Sequence, residues 1–312
     1  MVSVAMPPRR MALVDAFTTE PLAGNAAGVI PAADGLSDAQ CQAVARELSV
    51  SETAFIFPSH DADRQVRYFT PTQEVDLCGH ATIAAHAWLN TEGELAAGSH
   101  TLETAVGVLD IEIAADGTVW MTQDTPTVEP REIPYDRLAD ALGVDKATLQ
   151  DVGAELPVAR ASTGLAFLIV PVNFLESLGS MTPDLRAIET LSEEHDVAGV
   201  YAFTFDTLGS ESTLHARMFA PAAGVDEDPV TGTASGACGA YLHDVGASAF
   251  DEPPEEMLFE QGHFMDRGGL VEVRVGHDDH GRREVRVGGQ AVTSLTGNIE
   301  VPEYEDDGII EA

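Results

Sequence analysis

The chain has 312 residues, 44% of them hydrophobic, with 16 basic against 52 acidic side chains and a formal net charge of −36. That length exceeds most single cores and points to two domains. No apolar run approaches the ~20 residues of a membrane span, and so acidic a surface repels nucleic acid and anionic lipid.

Read from the N-terminus, alternating or apolar runs predict strands at ALVDAF (12–17), AAGVI (26–30), TAFIF (53–57), VLDIEIA (108–114) and VWMT (119–122). The second half repeats the style at AFLIVPV (166–172), VYAFTF (200–205), MLFEQG (257–262), LVEVRV (270–275) and EVRVGG (284–289). Amphipathic surface helices are expected at 37–48 and 183–195. Prolines and polar residues gather at 124–130, so the expected domains are 1–124 and 125–312, with a C-terminal segment able to return to the first. HDDHGRR, 277–283, reads as a polar hairpin loop.

The acids are spread between these patterned segments, and Lys146 is the sole lysine. Dispersed acids with little lysine fit a halophilic cytoplasm, where ~1 M salt shortens screening to ~3 Å. The opening MVSVAMPPRRMALVDAF holds no apolar run of signal-peptide length, so a cytoplasmic location is expected. Cys41, Cys78 and Cys238 are odd in number and widely spaced, which suits a reducing compartment. His80 and His86 stand six apart and do not share a helix face as i, i+4 residues would, so no metal site is expected.

One stretch occurs twice. Arg67, Phe69, Pro71, Val75 and Asp76 recur, 150 residues on, as Arg217, Phe219, Pro221, Val225 and Asp226. After a three-residue insertion, Gly79 and Ala81 recur as Gly232 and Ala234. A period this long means two related domains, not a solenoid. Each copy reads as a strand, a proline-ended loop and a glycine-led helix, HATIAAHAWL or TASGACGAYL. These helices are small or apolar nearly all round, and a helix of that kind is buried on every side. Ala84, Ala85, Gly236 and Gly239 would let strands approach closely. The fold class is therefore α+β: two pseudo-symmetric domains, each a barrel-like mixed sheet around a central buried helix. Both helix starts offer unpaired N–H groups and a positive dipole end, which can hold a small carboxylate without lysine or arginine.

VDAFTTEPLAGNAAGVI, SETAFI, VRYFTPTQEVDLCGHATIAAH, MFAPAAGVDEDPVTGTASGACGAYL and FEQGHFMDRGGLVEV, in that order over nearly the whole chain, resemble the PhzF family of phenazine-biosynthesis isomerase-like proteins. The resemblance implies the diaminopimelate-epimerase fold, an active site between two domains, isomerase chemistry without metal or cofactor, and commonly a homodimer. The best-known member isomerises trans-2,3-dihydro-3-hydroxyanthranilate. It further implies Glu52 of SET as catalytic acid/base, with His80 and Asp228 as catalytic partners. Gly79, Ala81, Cys78, Gly232 and Thr233 would line the substrate, with Thr233 standing where serine is common.

A carboxylate serves such proton transfer when partial burial raises its pKa toward neutrality. Read alone, Glu52 also fits a solvated strand start, His80 a helix-start residue, and Asp228 a turn former beside Asp226 and Glu227. Cys78 keeps a second reading open, a cysteine-assisted amino-acid epimerase or racemase, since a thiol at a helix N-terminus is activated. Two-base racemisation needs a matching thiol before Gly232, where Thr231 stands; Cys238 lies inside the helix and reads as packing. A non-catalytic small-ligand-binding relative is the third reading.

Overall fold

A computed structural model describes residues 7–245, 249–250, 254–278 and 280–302. The elements run β1 (Arg9–Ala16), β2 (Asn25–Ile30), α1 (Asp38–Leu48), β3 (Glu52–Phe57), β4 (Arg64–Phe69), β5 (Glu74–Val75), α2 (Gly79–Thr91), β6 (Gly98–Thr104) and β7 (Gly107–Ile113). They continue with β8 (Val119–Thr122), β9 (Thr127–Pro130), α3 (Tyr135–Leu142), α4 (Ala147–Gln150), β10 (Ala159–Ser162), β11 (Ala166–Pro171), α5 (Leu175–Gly179) and α6 (Leu185–His195). The last are β12 (Gly199–Thr204), β13 (Leu214–Ala220), β14 (Val225–Asp228), α7 (Gly232–Val245), β15 (Glu256–Gln261), β16 (Gly269–His277), β17 (Arg283–Gly289) and β18 (Ala291–Ile299).

The chain divides into two compact units. One holds residues 1–22, 26–119 and 290–312; the other holds 23–25 and 120–289. The stretch 124–130 carries β9, which pairs with β10 inside the second unit.

In the first unit β2 runs parallel to β3, β3 antiparallel to β4, β4 antiparallel to β5 and parallel to β6, and β6 antiparallel to β7. β1 is closed by β18. In the second unit β11 runs parallel to β12, β12 antiparallel to β13, β13 antiparallel to β14 and parallel to β15, and β15 antiparallel to β16. The two successions of pairings are the same, so the sequence repeat is a repeat of sheet grammar. The hairpin from β16 to β17 aligns His277 with Arg283, across the polar stretch expected to turn; Asp279 within it lies outside the described residues.

Small side chains explain the central helices. Every residue of α2 from Ala81 to Leu89, and of α7 from Ala234 to Leu242, is buried. α2 is touched by β1, β3, β7 and β18, and α7 by β9, β10, β11, β16 and β17. A methyl group at Gly239 would lie 2.6 Å from Val273 Cγ1, and one at Gly236 would lie 3.0 Å from Val287 Cγ2. Only glycine admits those strands so closely. The helices have 13 and 14 residues, not the ten read from their apolar cores, because polar residues such as Asn90, Thr91, His243 and Asp244 continue them.

Outer helices cover the other sheet faces. α1 begins at a capping box between Ser37 and Gln40 and buries Cys41 and Val44 against Ile30, Phe55 and Phe69. Burial pushes the Cys41 thiol up to about 12. In the second unit Leu138, Leu178, Ile188 and Leu191 from α3, α5 and α6 pack on Leu168, Val170 and Phe219.

Candidate active site

In the first unit the topology brings Glu52, at the start of β3, beside the start of α2. Glu52 Oε2 lies 3.4 Å from His80 Nε2, and these side chains are 20% and 10% exposed. Ser51 Oγ approaches the same ring nitrogen at 3.2 Å. The other, Nδ1, lies 3.4 Å from Cys78 Sγ. Cys78 is the N-cap of α2 in extended backbone, and its side chain makes no capping bond. The first intrahelical bond is Thr82 N–H to Cys78 O at 3.0 Å, so the N–H groups of Gly79, His80 and Ala81 precede the ladder. His86, one turn on, is fully buried with Nδ1 2.8 Å from Thr82 O, and desolvation holds it down near about 4, neutral at ordinary pH.

In the second unit Asp228 ends β14 and is held from several sides. Asn25 Nδ2 donates to Asp228 Oδ1 at 2.9 Å and to Val230 O at 2.9 Å. The Thr231 hydroxyl donates to Asp228 Oδ2. Gln261 Nε2 donates to Asp228 O at 2.8 Å and to Thr231 Oγ1 at 3.1 Å, while Thr231 N–H donates to Gln261 Oε1 at 3.1 Å. Gly232 opens α7 and is buried; Thr233 is half-buried, its carbonyl accepting from Thr163 Oγ1 at 3.3 Å. Of the three neighbouring acids, Asp226 is exposed and Glu227 is committed to Arg217, which leaves Asp228 at the helix start.

Both repeat arginines are likewise committed. Arg67 forks onto Glu74 at 2.7 Å and reaches Asp38 at 2.8 Å. Arg217 forks onto Glu227 at 2.8 Å and donates to the carbonyls of Leu178 and Met181. Neither guanidinium is arranged to receive a ligand carboxylate.

The repeat allows the two helix starts to be compared position by position. Thr82 and Ser235 each return a hydroxyl proton to the N-cap carbonyl, that of Cys78 or Thr231, and each meets a buried tyrosine hydroxyl, Tyr68 at 2.6 Å or Tyr201 at 3.1 Å. The tyrosines come from opposite members of the strand pair. Tyr68 on β4 faces Ala54, whereas its repeat mate Met218 faces Tyr201 on β12. In the same register, two residues toward the strand start, Glu52 corresponds to Gly199. A side chain there would come within 2.2 Å of Phe219 O. The second unit therefore has no carboxylate and no thiol in the places of Glu52 and Cys78.

Asn25 and Gln261 were not singled out from the sequence, although both lie in the quoted segments. They are 2% and 1% exposed, and an amide buried in an apolar strand was the available signal.

The same architecture occurs in a hydroxyproline epimerase from Agrobacterium vitis, solved with trans-4-hydroxy-L-proline, at a TM-score of 0.61 over 94% of this chain and 92% of that one. At 16% identity this shows the fold alone: an epimerase-like mixed α+β fold. A PhzF-family phenazine biosynthesis protein of Bacillus anthracis superposes with a TM-score of 0.85 at 32% identity, covering 94% of this chain and 99% of that one. An uncharacterized isomerase of Clostridium acetobutylicum is 38% identical over 294 residues, 92% of this chain and 96% of the relative. Residues 14–297 match the family model described as phenazine biosynthesis-like protein, and the chain belongs to that family of isomerases. Among the described residues, no helix is long and apolar enough to cross a membrane.

Proposed function

We propose that the protein is a cofactor-independent isomerase that moves a proton on a small carboxylate-bearing substrate, with Glu52 as the single acid/base. The observation that carries this reading is the asymmetry between the units: the place of Glu52 is filled by Gly199, where no side chain fits, and the place of Cys78 by Thr231. A racemase with matched bases needs the same group at the same place in each half, and here the equivalents of Glu52 and Cys78 are Gly199 and Thr231. Glu52 takes a proton from a substrate carbon and returns it to another. His80, beside it, steadies the carboxylate and hydrogen-bonds the substrate. The N–H groups opening α2, next to Glu52, hold the carboxylate, and Asp228, fixed by Asn25 and Thr231, is the second unit's acceptor for a substrate N–H or O–H group. The enzyme works as a homodimer in the cytoplasm.

The test is deuterium uptake from D2O, followed by proton NMR over a panel of small cyclic and acyclic amino and hydroxy carboxylates. Glu52→Gln keeps the shape and removes the basicity, so exchange collapses while ligand binding survives. With one base, a single turnover of carbon-deuterated substrate also returns part of its label to the product. Exchange that persists in Glu52→Gln and disappears in Cys78→Ser would establish the cysteine-assisted epimerase instead.

A further inference from the structure

Oxygen, nitrogen and sulfur converge at the start of α2. One ligand atom each from Glu52, His80 and Cys78 lies within 4.8 Å of the others. We propose that these three side chains bind a thiophilic divalent cation, with Zn2+ as the reference ion, and that the bound ion inhibits the enzyme.

A four-coordinate Zn2+ sits about 2.0–2.3 Å from such ligands, which separates neighbouring ligand atoms by roughly 3.3–3.8 Å. Glu52 and Cys78 each already stand 3.4 Å from a nitrogen of the His80 ring. One ring nitrogen takes the ion, so the imidazole turns and the carboxylate of Glu52, 20% exposed at the start of β3, swings in. Binding replaces the S–H bond of Cys78 by a metal–sulfur bond and releases one proton to solvent, with no change of oxidation state. A carboxylate, a thiolate and a neutral imidazole then leave the Zn2+ complex uncharged, which suits a half-buried position. The fourth position remains for water or for an oxygen of the substrate.

The donor set also sets the selectivity. Mg2+ and Ca2+ prefer all-oxygen shells, whereas thiolate and imidazole suit Zn2+ and Co2+. His86 takes no part, because its ring is buried and bonded within α2. The binding rests on geometry alone; the inhibition rests on the reading that Glu52 is the base, since a carboxylate bound to the ion cannot accept a proton.

The test is a titration of the full-length, metal-free protein with Co2+ in strong salt. The expected result is one equivalent bound, with a thiolate-to-cobalt charge-transfer absorption and the visible bands of tetrahedral Co2+, both abolished by Zn2+ and unaffected by Mg2+. Cys78→Ser removes the charge-transfer absorption, Glu52→Gln raises the dissociation constant at least about tenfold, and Cys238→Ser changes neither. Circular dichroism of each variant checks that it is folded. Tight Co2+ binding without the thiolate absorption, or an absorption that survives Cys78→Ser, overturns the site. The two readings separate cleanly. Loss of exchange in Glu52→Gln with no cobalt spectrum sinks the metal site alone. A full cobalt spectrum in protein whose isomerase turnover is unaffected by saturating Zn2+ overturns the inhibition and the assignment of Glu52 as base, and leaves the binding site standing.

Discussion

Arg67 and Arg217 occupy the same place in the repeat, yet their surroundings predict very different costs for losing an acidic partner. The side chain of Arg217 is 9% exposed and that of Glu227 19%, with two parallel bonds of 2.8 Å between them. Replacing Glu227 by Gln keeps the volume but removes the charge and one acceptor oxygen, leaving a buried guanidinium with at most one of the two forked bonds beside the carbonyls of Leu178 and Met181 and the rings of Phe219 and Phe264. Breaking a buried pair costs about 3–5 kcal/mol, and the residual exposure of Glu227 argues for about 3. Arg67 is 27% exposed, Glu74 41%, and Asp38 remains as a second partner. Exposed pairs contribute about 0.2–1 kcal/mol, so Glu74→Gln is expected to fall in that range. With a urea slope of about 3 kcal/mol/M, the unfolding midpoint drops by about 1 M for Glu227→Gln and by no more than about 0.3 M for Glu74→Gln. The comparison is made by urea titration under tryptophan fluorescence and circular dichroism, with salt held near 1 M to screen the remaining surface charge. Equal shifts for the two variants, or a drop below about 0.3 M for a folded Glu227→Gln, would refute the argument that burial decides the difference.

Two further outcomes concern solvent. The repulsion stored in a net charge of −36 is felt across the surface in dilute buffer, where the Debye length is ~30 Å at 0.01 M against ~3 Å at 1 M, so the melting temperature is expected to rise steeply with KCl; a melting temperature flat in salt would leave the acidity without this explanation. Buried His86 is held near about 4 from an unfolded value of 6.5, so the unfolded chain takes up the proton first and stability is lost as pH falls from 6.5 through 4. The loss reaches about 3 kcal/mol, and in strong salt it should shrink in a folded His86→Gln variant; an unchanged pH profile would show that His86 is not the group responsible.

The two buried helices were legible because their composition is extreme: small residues on all sides leave no face for water. The sheet grammar followed from the repeat, and most strands from apolar runs. β10 and β18 escaped because ARAS is four residues long and AVTSLTGNI is polar and only half-buried, so neither offers a continuous apolar signal. The site was legible as residue types rather than as contacts. His80 and Cys78 are near neighbours in the chain, but the meeting with Glu52 depends on how β3 pairs, which no local pattern records. Asn25 bonds Asp228 across 203 residues of chain. Resemblance named Asp228 among three adjacent acids; of the other two, Asp226 is exposed and Glu227 is bonded to Arg217.

The closure of β1 by β18 has a bearing on synthesis. Arg9 aligns with Ile299 and Ala16 with Ala291, so the first strand made waits for almost the last. Residues 120–289 all leave the ribosome before β18 does, so the strands around α7 are at hand first. The first unit meanwhile keeps one flank of α2 uncovered and the hydrogen-bonding edge of β1 unmatched. An unmatched edge invites pairing with a neighbouring nascent chain. β1 itself carries Arg9 and Arg10, but the chain as a whole has a net charge of −36, and like charge on neighbouring chains opposes that encounter until β18 arrives.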